Sequence, residues 1–125
     1  MQYRYQNLRD ALTIEISMCE YFNVTQKQLH SSSRKKGLVE IRHILFYILN
    51  HEMHFSLPFV GERFNRDHTT VLHGVRKIVY SNPESHLIQK KALFEAFFDR
   101  KLKTGDKVGD NSVYLGEKVG VLETV

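Results

Sequence analysis

The sequence predicts an all-α fold that contains a helix-turn-helix. Up to about Leu102, apolar residues recur at helical spacing. Residues that typically begin or stop helices separate these apolar segments. Two short helical segments, 56–64 and 67–80, are joined by a tight turn, which is the arrangement of a helix-turn-helix.

Composition favours one folded domain with an acidic partner. The 125 residues are 42% hydrophobic and 26% charged, which indicates a folded chain but leaves no room for a second large catalytic domain. The formal charge of +4 favours nucleic acid or an anionic membrane as a partner. The single cysteine, Cys19, excludes an internal disulfide and fits a reducing cytoplasm. We expect neither a secretory signal nor a membrane span, because the longest apolar stretch, 44–49, is far too short.

The first half of the chain divides into three helical segments. An amphipathic pattern predicts a helix over 8–22. Thr25 can cap a second, short helix that ends at Leu29 or His30. After a polar break, the most apolar segment, 38–53, is expected to form the central helix around which the others pack.

Capping residues delimit the helix-turn-helix. Ser56 is a good N-cap for its first helix, which ends near Phe64. A tight turn is expected at 65–66, and Asp67 can cap the second helix, which runs to about Tyr80.

A long amphipathic helix over 84–102 is expected to close the domain, with phenylalanines and leucines on its packing side. Its Phe-rich side is also a candidate surface for a partner protein or for weak dimerisation. We expect one helical domain over 8–102, preceded by a polar and aromatic leader at 1–7. Residues 103–125 are rich in Gly and Val and lack a helical period, which indicates a flexible tail or a weak hairpin.

The second helix of the helix-turn-helix has two distinct sides at about 100° per residue. The side expected to be buried consists of Val71, Leu72, Val75, Ile78 and Val79. The opposite side has no carboxylate and carries Thr69, Thr70, His73 and Lys77. A helix in the major groove needs such groups, because hydroxyls and imidazoles meet base edges while cations meet phosphates. Gly74, beside this side, would allow the backbone to approach another surface.

Other interpretations of these residues stay open. An aspartate followed by two threonines is also an ordinary helix start, and a basic loop is often simply solvated. The seven histidines invite a metal site, but the pairs His51/His54 and His68/His73 lack a third ligand at matching spacing. We therefore expect no metal and no cofactor. No nucleophile–base arrangement stands out, so an enzyme is not expected.

The segment RDHTTVLH resembles the signature of domain IV, the C-terminal DNA-binding domain of the bacterial replication initiator DnaA. The similarity also includes CEYFNVT, the basic loop, SLP before a glycine, and HTTVLHGVRKI, in this order. It covers roughly residues 8–80. The resemblance implies an all-helical domain with a Trp-repressor-like helix-turn-helix. Such domains bind short asymmetric duplex sites called DnaA boxes.

The resemblance also implies roles in the major groove. His68, Thr69 and Thr70 would contact bases and phosphates there, with Asp67 reading a base or capping the helix. Thymine methyl groups would be touched by the residues that match SLP, namely Leu57 and Pro58.

Backbone and minor-groove contacts are implied as well. Arg42 would bind the DNA backbone or an edge of the site, and Lys77 would bind a phosphate. Further phosphate contacts are expected from the cations Arg34, Lys35 and Arg66. Lys36 stands where the family usually carries an arginine that enters the minor groove, and lysine fits a narrow groove less well. His43 replaces a common glutamine, and the single residue Asn65 replaces Gly-Gly, so the preferred DNA sequence stays open.

The initiator carries an ATPase domain before this one, whereas the 125 residues contain no G-x-x-x-x-G-K-[ST] phosphate loop. We therefore expect a stand-alone relative, carried by a phage or mobile element, or an excised domain. Its expected action is that of a bacterial, cytoplasmic, nucleoid-associated regulator or recruiter that binds double-stranded DNA and replication proteins but no membrane. The alternative is a helix-turn-helix transcriptional regulator or phage replication accessory protein that binds a partner through 84–102.

Overall fold

The computed structural model describes residues 8–104, with side chains described over 11–102. Within that range the chain forms helices and no strand, so the predicted all-α class is confirmed. The helices are α1 (Leu8–Phe22), α2 (Gln26–His30), α3 (Lys36–Tyr47), α4 (Leu57–Arg63), α5 (His68–Val79) and α6 (His86–Thr104), with a π-helical turn (Ile48–Glu52) directly after α3. The last helix begins at residue 86 rather than 84 and continues to 104, so residues 103–104 belong to α6 rather than to the tail predicted over 103–125. The predicted leader, 1–7, and the rest of the predicted tail, 105–125, lie outside the described residues.

Side chains set the starts of α2 and α4, as predicted. Thr25 and Gln28 form a capping box: the Gln28 N–H donates to Thr25 Oγ1 at 3.0 Å, and the Thr25 N–H donates to Gln28 Oε1 at 2.8 Å. At α4, the hydroxyl of Ser56 accepts from the Phe59 N–H at 3.1 Å. Pro58 lies in the first turn, where its missing N–H costs nothing.

The central helix predicted over 38–53 begins two residues earlier and changes geometry before its end. After α3 the chain widens into the π-helical turn, which sequence periodicity does not distinguish from an α-helix. The segment ends at His54, whose φ of 68° lies in the left-handed region. The amide of Asn50 donates to the Phe55 carbonyl at 2.8 Å and fixes this exit.

Contacts divide the chain into two compact units. In the terminal unit, formed by α1 and the second half of α6, Phe94 and Phe98 are buried. Ring centroids of Tyr21 and Phe97 lie 5.0 Å apart, and those of Phe22 and Phe94 lie 6.1 Å apart. The phenylalanines of α6 therefore pack within their own unit, and binding of a partner through this helix stays a prediction. Whether residues 8–102 act as one domain stays a prediction.

Two residues of the terminal unit depart from simple amphipathicity. Glu15 lies fully buried on the apolar side of α1, yet the helix still begins at Leu8, as predicted. Burial, with a smaller contribution from Glu15, raises the pKa of the Cys19 thiol to about 12, so the thiol stays protonated. Leu102, expected to pack, is 48% exposed, which corrects the prediction for the last turn of α6.

The central unit, Val24–Ala92, holds the helix-turn-helix around a second core. Phe64 packs between α2 and α3, since its ring centroid lies 4.4 Å from that of His30 in α2 and 5.4 Å from that of Phe46 in α3. The fully buried aliphatic residues of this core are Leu29, Ile44, Leu45, Ile48, Leu49, Val60 and Val71. The prediction that Val79 is buried is wrong, because the residue is 45% exposed at the end of α5.

Two glycines allow close packing, one between α5 and α3 and the other between α4 and the turn that follows it. A Cβ atom at Gly74 would lie 2.8 Å from Cδ2 of His43 and 3.0 Å from Cδ2 of Phe46, so the surface that Gly74 approaches is α3. A Cβ atom at Gly61 would lie 2.5 Å from the backbone oxygen of Arg66. The Gly61 carbonyl also accepts the Arg66 N–H at 2.7 Å. The turn between α4 and α5 thus lies directly on Gly61.

We expect Gly61→Ala to lower the free energy of unfolding by about 2 kcal/mol, because backbone must move to relieve the contact. Gly37→Ala is the matched control: in the first turn of α3, a Cβ atom at Gly37 would meet no other part of the described structure within 4 Å. That change should stabilise the protein by about 0.5–1 kcal/mol through helix propensity. Urea unfolding of both variants tests the pair. Equal effects of the two alanines would contradict the assigned contact.

Candidate nucleic-acid interface

The turn of the helix-turn-helix is closed by a single residue in the left-handed region. Asn65 has a φ of 54°, which asparagine tolerates better than most residues. Its N–H donates to the Glu62 carbonyl at 3.2 Å. One asparagine therefore suffices to form this turn, where the resemblance implies a Gly-Gly pair.

The outward side of α5 lies where sequence periodicity predicts it. All four of its predicted residues, Thr69, Thr70, His73 and Lys77, are exposed. His68 is also exposed, although periodicity alone points it inward, because it stands in the first turn with little packed over it. Hydroxyls and imidazoles are thus presented together at the start of the helix.

Asp67 occupies the N-cap position of α5 without capping it. Within the described part of the chain, its side chain makes no hydrogen bond to the helix N–H groups. Its Oδ2 accepts instead from the Thr69 hydroxyl at 3.0 Å, and its Oδ1 lies 3.8 Å from Nδ1 of His68. The predicted capping role of Asp67 is therefore wrong. The carboxylate orients the neighbouring hydroxyl of Thr69.

Arg42 is buried, with 4% of its surface exposed, and it binds the chain itself. Its Nε donates to the Leu29 carbonyl at 2.7 Å and its Nη1 to the Ser33 carbonyl at 2.6 Å. Its Nη2 donates to the carbonyls of Gln28 and Ser31, both at 3.0 Å. Four donors of one guanidinium thus hold the segment before α3. In the described structure Arg42 therefore anchors this segment, and its expected contact with DNA stays a prediction.

Arg66 holds the same segment from the other side. Its Nη1 donates to the Phe64 carbonyl at 2.7 Å, and its Nη2 donates to the Ser31 carbonyl that Arg42 also contacts. Burial, and then the positive charge of Arg66, lower the pKa of Arg42. The two arginines tie the turn of the helix-turn-helix to the basic loop. A phosphate contact by Arg66 stays a prediction.

The three cations of the loop, Arg34, Lys35 and Lys36, are all exposed. The loop is shorter than expected, because α3 begins at Lys36 rather than at Leu38. Lys35 is the N-cap of α3, and its side chain makes no capping bond in the described structure. The first N–H groups of α3 therefore lie among exposed cations.

A groove of about 590 Å³ separates this loop from α5. It is lined by residues of the loop, α3, the turn and α5, among them Arg34, Arg42, His43, Arg66 and Thr70. A second groove, of about 380 Å³, lies at the C-terminal end of α5 and contains His73 and Lys77. The other candidates line neither groove: Lys35, Lys36, Leu57, Pro58, Asp67, His68 and Thr69. Leu57 is half-buried and Pro58 is exposed in the first turn of α4.

Comparison with known families decides what this arrangement is. Residues 13–78, a little over half of the chain, match the family model described as bacterial dnaA protein helix-turn-helix. The chain belongs to this family. Its domain is therefore a DNA-binding helix-turn-helix domain of the DnaA kind.

Similar proteins carry the same description. The chromosomal replication initiator protein DnaA of Thermoanaerobacter sp. (strain X514) is 32% identical over 78 residues, which cover 62% of this chain and 18% of that protein. The protein of the same name from Thermomicrobium roseum is 40% identical over 75 residues, covering 57% and 16%. The chain thus spans less than a fifth of the length of these curated relatives.

Two residues on the exposed side of α5 were not among the candidates from the sequence. Arg76 and Tyr80 line the second groove beside His73 and Lys77. They stand seven and eleven residues after Thr69, and both spacings return to the same side of an α-helix. The helical periodicity therefore contained the signal that places both residues on this side.

The described residues offer little support for a metal site or a membrane span. Over 11–102, no group of three or more His, Cys, Asp and Glu side chains could hold a metal ion. Among the described helices, none is long and apolar enough to cross a bilayer.

His43 lies half-buried between α3 and α5, against Gly74. Burial lowers the pKa of His43, and the nearby charge of Lys77 lowers it further, against a smaller opposing effect of Glu40. Burial alone would raise the pKa of Glu40, but Lys90, which donates to Glu40 at 2.9 Å, helps to lower it. The groove therefore contains a neutral imidazole at neutral pH.

This lowered pKa predicts a pH dependence of stability. As pH falls through about 6.5, the ordinary pKa of histidine, the unfolded chain takes up a proton that the folded chain binds less readily. The free energy of unfolding therefore falls as the pH drops below about 6.5. His43→Gln should flatten the curve of unfolding free energy between pH 7.5 and 5.5. Parallel curves for His43→Gln and the unmodified protein would contradict the assignment.

Proposed function

We propose that this chain binds duplex DNA in a sequence-specific manner at sites resembling DnaA boxes. The observation that carries the proposal is a groove that Thr70 of the exposed side of α5 and Arg34 of the basic loop both line, with the loop anchored by two arginines. A rigid loop loses less conformational entropy on binding than a mobile one. The family membership makes duplex DNA the ligand to consider first.

In the proposed complex, α5 enters the major groove by its first turn. His68, Thr69 and Thr70 meet base edges, while Lys77 meets a phosphate farther along the helix. Leu57 and Pro58, at the start of α4, contact thymine methyl groups.

Two uncapped helix starts support phosphate binding beside the groove. The first turns of α3 and α5 contribute lining residues, and neither Lys35 nor Asp67 caps its helix through a side chain in the described structure. By contrast, α2 and α4 are both capped by side chains. Helix N-termini attract anions through their N–H groups and dipole. DNA phosphates would accept hydrogen bonds from the first N–H groups of α3 and α5, and the positive charges of Arg34 and Lys35 would attract them.

We infer that the biological effect comes from occupancy rather than catalysis. The sequence contains no phosphate loop for ATP, so we propose a non-enzymatic, nucleoid-associated regulator or recruiter at replication origins. A protein that occupies a DnaA box competes with a complete initiator by mass action alone. Recruitment of replication proteins, as a monomer or weak dimer, would add to this effect.

Selection from a randomised duplex library is the direct test. We expect one enriched asymmetric motif, and a footprint of the protein on it. With about four phosphates neutralised, by Arg34, Lys35, Arg66 and Lys77, log K should fall with log salt at a slope of roughly −3 to −4. A library that yields no motif, or binding that is insensitive to salt, would refute the proposal.

Footprinting with a host initiator then tests competition. On an origin fragment, the purified protein should displace the initiator from the boxes it protects. The concentration of the protein that displaces half of the initiator should rise in proportion to the initiator concentration. Simultaneous occupancy of the same box would contradict competition and leave only recruitment.

A further inference from the structure

The exposed side of α5 does not end with the residues assigned to duplex DNA. It continues to Tyr80, the C-cap residue of the helix, which is 79% exposed. Thr69, His73, Arg76 and Tyr80 fall within about 60° of one another around the helix axis at 100° per residue. Eleven residues separate Tyr80 from Thr69, which is about 16 Å along the helix.

The ring of Tyr80 is displayed on a fixed backbone. The Tyr80 N–H donates to the Arg76 carbonyl at 2.9 Å, and the next residue is also held, because the Ser81 N–H donates to the Ile78 carbonyl at 3.2 Å. The Ser81 hydroxyl donates to the Lys77 carbonyl and closes the end of the helix. A large aromatic ring thus stands in solvent without the mobility of a chain end.

The groove beside this ring has the charge that a nucleic acid requires. Its lining consists of His73, Arg76, Lys77, Tyr80 and Ser81, and no carboxylate is among these described residues. Arg76 and Lys77 both line this groove, but as consecutive residues they lie about 100° apart around the helix axis, and Arg76 is the nearer of the two to the Tyr80 side. A phosphate bound to Arg76 would therefore belong to a different part of the strand from one bound to Lys77.

Paired bases hide their faces in the stack and expose only their edges, whereas an unpaired base exposes a face that an aromatic ring can cover. In the proposed complex the first turn of α5 meets the base edges, and the ring of Tyr80 lies about 16 Å farther along the helix than Thr69. The location and chemistry of Tyr80 therefore match a stacking platform rather than an edge-reading residue.

We propose that the C-terminal end of α5 binds unpaired nucleotides next to the duplex site, with one base stacked on Tyr80 and a phosphate held by Arg76. This inference rests on the proposed duplex binding for its biological setting. An acidic peptide would also meet the cations, but it would leave the exposed ring without a flat partner. Continuity with the DNA-facing side of α5 favours nucleic acid.

The test uses fluorescence anisotropy and compares the blunt form of the selected duplex with two overhang forms, each of which carries six unpaired thymine nucleotides at one end. Wild type should bind one of the two overhang forms about tenfold more tightly than the blunt form. Tyr80→Ala should remove this gain and leave the blunt affinity unchanged. Tyr80→Phe, which keeps the ring, should retain the gain. Thr69→Ala should weaken both forms equally.

Each remaining outcome overturns the inference. No overhang gives a gain if the platform does not bind unpaired bases. Equal loss on both forms in Tyr80→Ala would assign the residue to paired DNA. An unchanged gain in that variant would leave the surface to a protein partner, and loss in Tyr80→Phe would exclude stacking as the cause.

A probe without duplex separates this inference from the proposed function. An oligo(dT) of twelve nucleotides carrying 5-iodouracil should photocrosslink to the full chain at Tyr80, and Tyr80→Ala should abolish that adduct. If this crosslink forms while no duplex motif is selected, the proposed function fails and the inference stands. If the motif is selected but crosslinks map elsewhere, the inference alone fails.

Discussion

Replacing Arg42 with methionine is expected to lower the free energy of unfolding by about 3 kcal/mol. The substitution removes four hydrogen bonds from a charged donor to the carbonyls of Gln28, Leu29, Ser31 and Ser33. Bonds to charged groups contribute about 1.5–3 kcal/mol each, but part of this loss is recovered because these carbonyls can rebind water. Methionine keeps much of the side-chain volume, so the loss reports on the donors. Urea unfolding of both proteins measures this change in the free energy of unfolding.

The released segment should also become more dynamic. Amide hydrogens of 28–35 should exchange faster in Arg42→Met, and DNA affinity should fall because the loop must be ordered on binding. Arg42→Lys is the matched control for charge, since one ammonium cannot span four carbonyls. It should lose nearly as much stability as Arg42→Met. Lys35→Met removes an exposed cation of the same loop and should leave stability nearly unchanged.

The contrary result is equally informative. If Arg42→Met folds as stably as wild type but loses DNA affinity, Arg42 contacts DNA directly, as the resemblance implied. If both stability and hydrogen exchange are unchanged, the four bonds contribute nothing to the fold.

Features set by local sequence could be predicted. A capping box needs only Thr25 and Gln28, three residues apart, and the first turn of α4 needs only Ser56 and Pro58. Such contacts depend on neighbours in the chain rather than on the path of distant segments. The bounds of α1, α2 and α5 and the exposed side of α5 follow for the same reason.

Features set by distant segments could not be predicted. The carbonyl partners of Arg42 lie 9 to 14 residues earlier in the chain, and Arg66 meets Ser31 across 35 residues. An arginine on a helix next to a basic loop has the same sequence pattern whether it binds DNA or its own backbone. Only the path of the loop distinguishes the two, so the anchoring role of Arg42 required coordinates.

Asp67 shows the same limit at shorter range. Aspartate before two threonines predicts an N-cap, but a carboxylate can accept from a neighbouring hydroxyl as readily as from a helix N–H. At this position the hydroxyl of Thr69 is the partner. The competition is decided by side-chain rotamers, which a residue pattern does not specify.

Replacing Thr69 with alanine is expected to weaken binding to the selected duplex by about 5- to 150-fold, or about 1–3 kcal/mol, and to leave random-sequence DNA nearly unaffected. Thr69 is exposed in the first turn of α5, and its hydroxyl is oriented by Asp67 at 3.0 Å. Thr69→Ser keeps the hydroxyl and should retain most of the discrimination. His68→Ala should behave like Thr69→Ala, because both residues are assigned to base edges.

Lys77→Ala should behave differently from these changes. Lys77 is exposed two turns farther along the same helix, and it is assigned to a phosphate, which carries no sequence information. Its loss should weaken selected and random duplexes alike and reduce the steepness of the salt dependence by about 0.9. Anisotropy titrations on both duplexes at several salt concentrations separate the two classes. If Thr69→Ala and Lys77→Ala both lower affinity by the same factor on every sequence, then α5 binds DNA without reading it, and another element must carry the specificity.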